Sequence, residues 1–143
     1  MTGIEIDMIV SDSLEALRLY ESIFKVQRIE VTAFAKGQNE AIFAIYGGCF
    51  HLLDENKEYG MIAPKPSNVR PMWVNVMVPD IVNVYTRAMN GRCTEVQSVT
   101  ELPEYGVSNA MFSDPFGYVW MLHQVHKDVS FNERMELMKK NMK

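Results

Sequence analysis

Three histidines (His51, His123 and His126) and two cysteines (Cys49 and Cys93) are the side chains of this 143-residue sequence best suited to acid–base, nucleophilic or metal chemistry. No Gly-x-Ser-x-Gly, Cys-x-x-Cys, P-loop or His-Glu-x-x-His spacing occurs, so no catalytic class announces itself through a local motif. Cys49 and Cys93 read as inert buried thiols, and His126 beside Lys127 as a solvated link. His51 and His123 differ, because each stands in a strand-like, largely apolar run. Such a run places a side chain on one face of a strand, and strand parity puts His123 on the same face as Met121. Any site must therefore be assembled by the elements that carry these residues.

Those elements are organised as a repeat. The stretch Met8 to Tyr20 matches Val76 to Ala88 at a constant offset of 68 positions: an apolar run, a V-x-D break, then helical spacing. Leu14, Leu17, Tyr20 and Phe24 form the stripe of the first helix, with Asp12 or Ser13 as cap. In the second, Ile81, Val84 or Tyr85, and Ala88 or Met89 keep the stripe, Asp80 caps and Gly91 ends the helix. Strand-like runs follow each helix, Val26 to Lys36, Glu40 to Tyr46 and Cys49 to Asp54 in the first half. The second half offers Arg92 to Thr100, Val107 to Ser113 and Tyr118 to Gln124, the last after the type I turn chemistry of Asp114-Pro115-Phe116-Gly117.

Each half is thus expected to be βαβββ, giving an α+β protein of two tandem modules with curved, mostly antiparallel sheets. The boundaries are module one at 1–56, a polar linker at 57–69, module two at 70–125 and a C-terminal helix at 130–142. The linker, broken by Gly60, Pro64 and Pro66, is long enough to serve as a lid. Ser130-x-x-Glu133 is a capping box, and Phe131, Met135, Met138 and Met142 form a narrow stripe. With 48% apolar residues and a net charge of -4, the sequence is that of a globular domain rather than a disordered chain or a nucleic-acid groove. No apolar run approaches the roughly 18 residues of a membrane helix, so a cytoplasmic protein without nucleic-acid or membrane partners is expected. The 11 methionines read as adaptable core filling, with a plastic apolar pocket as the functional alternative.

Two βαβββ halves, the V-x-D helix entries, Tyr105-Gly106 and the run Phe112 to Trp120, followed by His126 to Ser130 before a last helix, resemble the vicinal oxygen chelate superfamily. This is the fold of glyoxalase I, bleomycin-resistance proteins and extradiol dioxygenases, and the chain looks most like the PhnB-like branch. The resemblance implies two sheets facing a cavity, a metal held by His, Gln or Glu from the first and fourth strands of each half, and subunits paired as a homodimer. Carried onto this sequence, those four positions read Glu5, His51, Trp73 and Met121. An indole cannot bind a metal, and a thioether is a poor ligand for hard or borderline cations.

Two function classes remain open. A small-molecule-binding protein with a degenerate metal site would hold a small organic ligand among Glu5, His51, Trp73, Asn75, Met121 and His123, without cofactor. A metal-dependent lyase, isomerase or dioxygenase would instead hold one divalent ion per subunit, with Glu5, His51 and His123 as its candidate ligands. The missing half of the ligand set favours the binding protein.

Overall fold

The computed structural model describes residues 1–142. The first module runs β1 (Glu5–Val10), α1 (Ser13–Ile23), β2 (Val26–Val31), β3 (Glu40–Ile45) and β4 (Gly48–Asp54). The second runs β5 (Val74–Met77), α2 (Ile81–Asn90), β6 (Thr94–Leu102), β7 (Val107–Ser113) and β8 (Val119–Val125), and α3 (Phe131–Asn141) follows. Each module has one four-stranded sheet, in the orders β1-β4-β3-β2 and β5-β8-β7-β6. The first strand pairs parallel with the fourth, and the other pairings are antiparallel. The expected α+β architecture of two βαβββ modules and a terminal helix is what the chain adopts.

Local chemistry explains the helix starts. The Asp12 carboxylate accepts from the Leu14 and Glu15 amides at 3.1 and 3.0 Å, and Asp80 accepts from Asn83 N at 3.2 Å, which satisfies donors no helix can pair internally. Ser130 Oγ accepts from Glu133 N at 3.1 Å in the same way. At the end of α2, Gly91 keeps a negative φ of -90°, and the left-handed residue is Arg92, at +67°.

Alternation along the strands then sorts the faces. In the first module Met8, Val10, Ala41, Phe43, Phe50 and Leu52 turn inward against Leu17, Tyr20 and Ile23 of α1. Phe43 stacks on Phe50 with ring centroids 5.3 Å apart. In the second, Val76, Ala110, Phe112, Trp120 and Leu122 do the same beneath Ile81, Val84 and Ala88 of α2. Each large apolar side chain so buried contributes about 1.5–3 kcal/mol.

The chain divides into two compact units, Met1–Arg70 with Asp114–Tyr118, and Pro71–Ser113 with the chain from Val119 on. The Asp114-Pro115-Phe116-Gly117 turn belongs to the first unit for a physical reason. Asp114 accepts from the Tyr20 hydroxyl at 2.6 Å, and the Tyr118 hydroxyl donates to the Ile9 carbonyl at 2.8 Å. Gly117 sits at φ +98°, and a Cβ there would lie 2.7 Å from the Pro64 carbonyl oxygen. Gly117→Ala is therefore expected to lower stability by about 1–3 kcal/mol, read as a lower midpoint in urea denaturation with an unchanged slope.

Several sequence expectations need adjustment. The strand expected over Val26 to Lys36 stops at Val31, because the Asn39 side chain takes the Phe34 amide (2.7 Å) and donates to the Phe34 and Ala35 carbonyls, holding 32–39 as a loop. The strand after α2 starts two residues late, at Thr94, since the left-handed Arg92 prolongs the turn. The linker contains a short 3-10 turn, Lys57–Tyr59, capped by Asn56. Among the described residues Met8 is the one buried methionine; the other ten are half-buried or exposed, so the core is built mainly of Val, Ile, Leu and aromatics. Both cysteines are half-buried rather than buried, and neither forms a disulfide.

Candidate functional site

The face of the first sheet turned away from α1 carries the polar residues. In register, Asp7 pairs with His51, Glu5 with Cys49, and Glu40 with Leu53, so Glu5, Asp7, Glu40 and His51 share that face. The parallel pairing of β1 with β4 and the antiparallel pairing of β3 with β4 bring in three carboxylates around one imidazole. His51 Nδ1 donates to Glu5 Oε1 at 2.9 Å and lies 3.8 Å from Asp7 Oδ1. Glu40 Oε1 stands 3.5 Å from Nε2, within ion-pair range, yet the buried Nε2 makes no hydrogen bond among the described residues. A buried polar atom left in this state is uncommon.

The two carboxylates of β1 are unequal. A hydrogen bond between Asp7 and Glu5, supported by the His51 bond, holds the Glu5 carboxyl below the usual carboxylate range. The same bond to Glu5, followed by burial and the Glu5 charge, pushes Asp7 up. The contact thus draws the two carboxyls in opposite directions from their ordinary values.

Ligand atoms of Glu5, Asp7 and His51 lie within 4.8 Å of one another, a spacing that could hold a metal ion. Two carboxylates and an imidazole suit Mg, Mn, Fe or Zn, so the residues present fit a divalent ion with three donors from one module. Asp7 and Glu40 are additions to the sequence reading. Asp7 carried a readable signal, since it lies two residues after Glu5 on one strand; Glu40 carried none.

The other residues singled out in the sequence lie on the second module. Trp73 precedes β5 by one residue and is 45% exposed. Asn75 pairs with Met121, so the register that joins Asp7 to His51 in the first module joins an amide to a thioether in the second. His123 pairs with Met77 and binds Asn109 Oδ1 through Nδ1 at 2.6 Å.

Paired βαβββ modules with a mixed sheet in each define the class: this is the fold of the glyoxalase and bleomycin-resistance proteins. Solved structures agree. A mutant of the fosfomycin resistance protein FosX from Listeria monocytogenes, complexed with Mn(II) and 1S,2S-dihydroxypropylphosphonic acid, superimposes with a TM-score of 0.68 at 14% identity, covering 96% of this chain and 98% of that one. A glyoxalase/bleomycin resistance protein/dioxygenase family enzyme from Burkholderia phytofirmans PsJN gives 0.65 at 14% identity over 85% and 96% of the two chains. A Bacillus cereus PhnB protein described as a putative 3-demethylubiquinone-9 3-methyltransferase gives 0.65 at 16%, over 87% and 100%. Comparisons with protein-family models and with curated proteins find no match. No helix among the described residues is long and apolar enough to cross a membrane.

Proposed function

We propose that the protein is a small-molecule-binding member of the vicinal oxygen chelate superfamily, close to its PhnB-like branch, that anchors the polar group of its ligand on the Glu5–His51 pair. The observation that carries this reading is the orphaned His51 Nε2 beside Glu40, with Glu5 and Asp7 on the other edge of the ring. A group that donates hydrogen bonds, or a cationic group, would satisfy both the ring nitrogen and the surrounding carboxylates. Benzylamine is a suitable probe. Saturable binding by calorimetry is expected, weakened about tenfold or more in His51→Ala and Glu5→Gln, the scale of a lost charge-assisted hydrogen bond. Because Asp7 protonates above the ordinary aspartate range, affinity should begin to fall on acidification before that ordinary range is reached. Benzylamine binding that both substitutions leave unchanged overturns the reading.

A second reading, a metal-dependent enzyme acting on a small oxygenated substrate, is favoured by the clustering of Glu5, Asp7 and His51. When bound there, a divalent ion would supply Lewis-acid activation of an oxygen. One tightly held Mn(II) or Zn(II) per chain, lost in His51→Ala, would select this reading over the first. Homodimerisation in the cytoplasm forms part of the proposal; the exposed Phe131 at the start of α3 and Met142 just past its end support the dimer, and sedimentation as a monomer would count against it.

A further inference from the structure

The second module holds a cavity of about 480 Å³ between the far ends of β7 and β8, the 3-10 turn Pro103–Tyr105 and α3. That volume is within the roughly 300–1,000 Å³ of small-ligand pockets. Its walls are of two kinds. Val107, Val125, Val129 and Met138 supply apolar surface, while Lys127 and Arg134 are the cationic residues of the lining and Asp128 the acidic one.

We propose that this cavity binds a small amphipathic monoanion, a carboxylate carrying an apolar tail. Two cations against one carboxylate leave a formal surplus of one positive charge, which matches a monoanion rather than a phosphate dianion. Among the described residues neither Arg134 nor Lys127 is engaged in an ion pair, so both heads can serve a ligand. Arg134 is held over the Phe131 ring, 5.5 Å from its centroid, which restricts the guanidinium before any ligand arrives. A planar guanidinium is matched to a carboxylate by two parallel hydrogen bonds.

The cavity wall is fixed by the backbone. Gly106, at φ +68°, accepts from His126 N at 2.7 Å and from Lys127 N at 3.1 Å through its carbonyl, and a Cβ at Gly106 would meet the Lys127 carbonyl oxygen at 2.3 Å. Lys127 is thereby set against the 3-10 turn, and Asn141 of α3 donates to the Tyr105 hydroxyl of the same turn at 3.2 Å. His123 also lines the cavity, with its ring held by Asn109 Oδ1, which accepts from Nδ1 at 2.6 Å. This inference rests on the second module alone and does not depend on the Glu5–His51 reading.

Octanoate is the probe, with octanol and acetate as its halves, titrated into the full chain by calorimetry and by amide chemical shifts. Octanoate is expected to bind at millimolar concentration or below, at least tenfold more tightly than either half, with shifts at Val107, His123 and Val125. Arg134→Gln and Lys127→Gln, both at exposed positions and so compatible with folding, should each weaken it several-fold to tenfold. Asp128→Asn should tighten it, because a like charge is removed. Benzylamine binding should be unaffected by Arg134→Gln, which separates failure of this site from failure of the first. Octanol binding as tightly as octanoate, octanoate affinity unchanged in Arg134→Gln, or no octanoate binding at all overturns the proposal.

Discussion

Asp54→Ala is expected to destabilise the protein by about 3–5 kcal/mol, the cost of stranding several buried donors around a deleted charge. Asp54 ends β4 and is buried, and its carboxylate accepts from three backbone amides: Ser13 at 2.6 Å, and Gly37 and Asn39 at 2.9 Å each. Those amides belong to the first residue of α1 and to the turn between β2 and β3, so one side chain fixes three segments. The N-terminus of α1 adds a favourable dipole for the negative charge. Burial works to raise the Asp54 carboxyl, but the hydrogen bonds from Ser13, Asn39 and Gly37 outweigh it and hold it below the usual range. The contribution to stability is therefore complete above about pH 4, the ordinary aspartate value, and is lost as pH falls through the lowered one. Urea denaturation at pH 7 and again near pH 3 checks both parts. The gap between wild type and Asp54→Ala should shrink on acidification; a gap that grows would refute the assignment.

Trp120→Ala should cost a similar amount, about 3–5 kcal/mol, through a cavity that β8 and its neighbours cannot close. Trp120 is completely buried, paired with Val74 on one side and Phe112 on the other, on the face that packs under α2. Its neighbour Met121 points to the opposite face and is half-buried. Met121→Ala should consequently lose far less, about 1 kcal/mol, because a mobile thioether at a half-open surface leaves no sealed void. Thermal unfolding of the two variants side by side tests the facing of β8. Equal losses would mean that the strand is turned the other way or that Trp120 is not packed.

Within the Glu5–Asp7 pair the two carboxyls respond to pH with opposite signs. Stability from Glu5, whose carboxyl is lowered, is present above its ordinary value and fades on acidification; that from Asp7, whose carboxyl is raised, is present below its ordinary value and fades as pH rises through the raised one. The pair thus opposes itself in folding.

Much of the architecture was written locally. The helix starts at Asp12 and Asp80, the turn at Asp114 to Gly117 and the period-2 alternation of β3, β4 and β7 depend on neighbours within a few residues, so capping chemistry, φ preferences and side-chain parity reveal them without a fold. Glu5 and His51 were legible too, through the resemblance of the whole pattern. What lay beyond the sequence depends on partners far apart in the chain. Asp54 meets Ser13 across 41 residues, and nothing near Asp54 announces that three amides await it. Asn39 falls between two strand runs in the sequence, yet its side chain ends β2 early by replacing the ladder with its own hydrogen bonds. Glu40 and Asp7 joined His51 only when strand order placed β4 between β1 and β3. Sequence parity decides which face a side chain takes, because the backbone alternates whatever surrounds it. Which residues meet on that face was decided by sheet order and register, and these are set by the packing of each sheet on its helix.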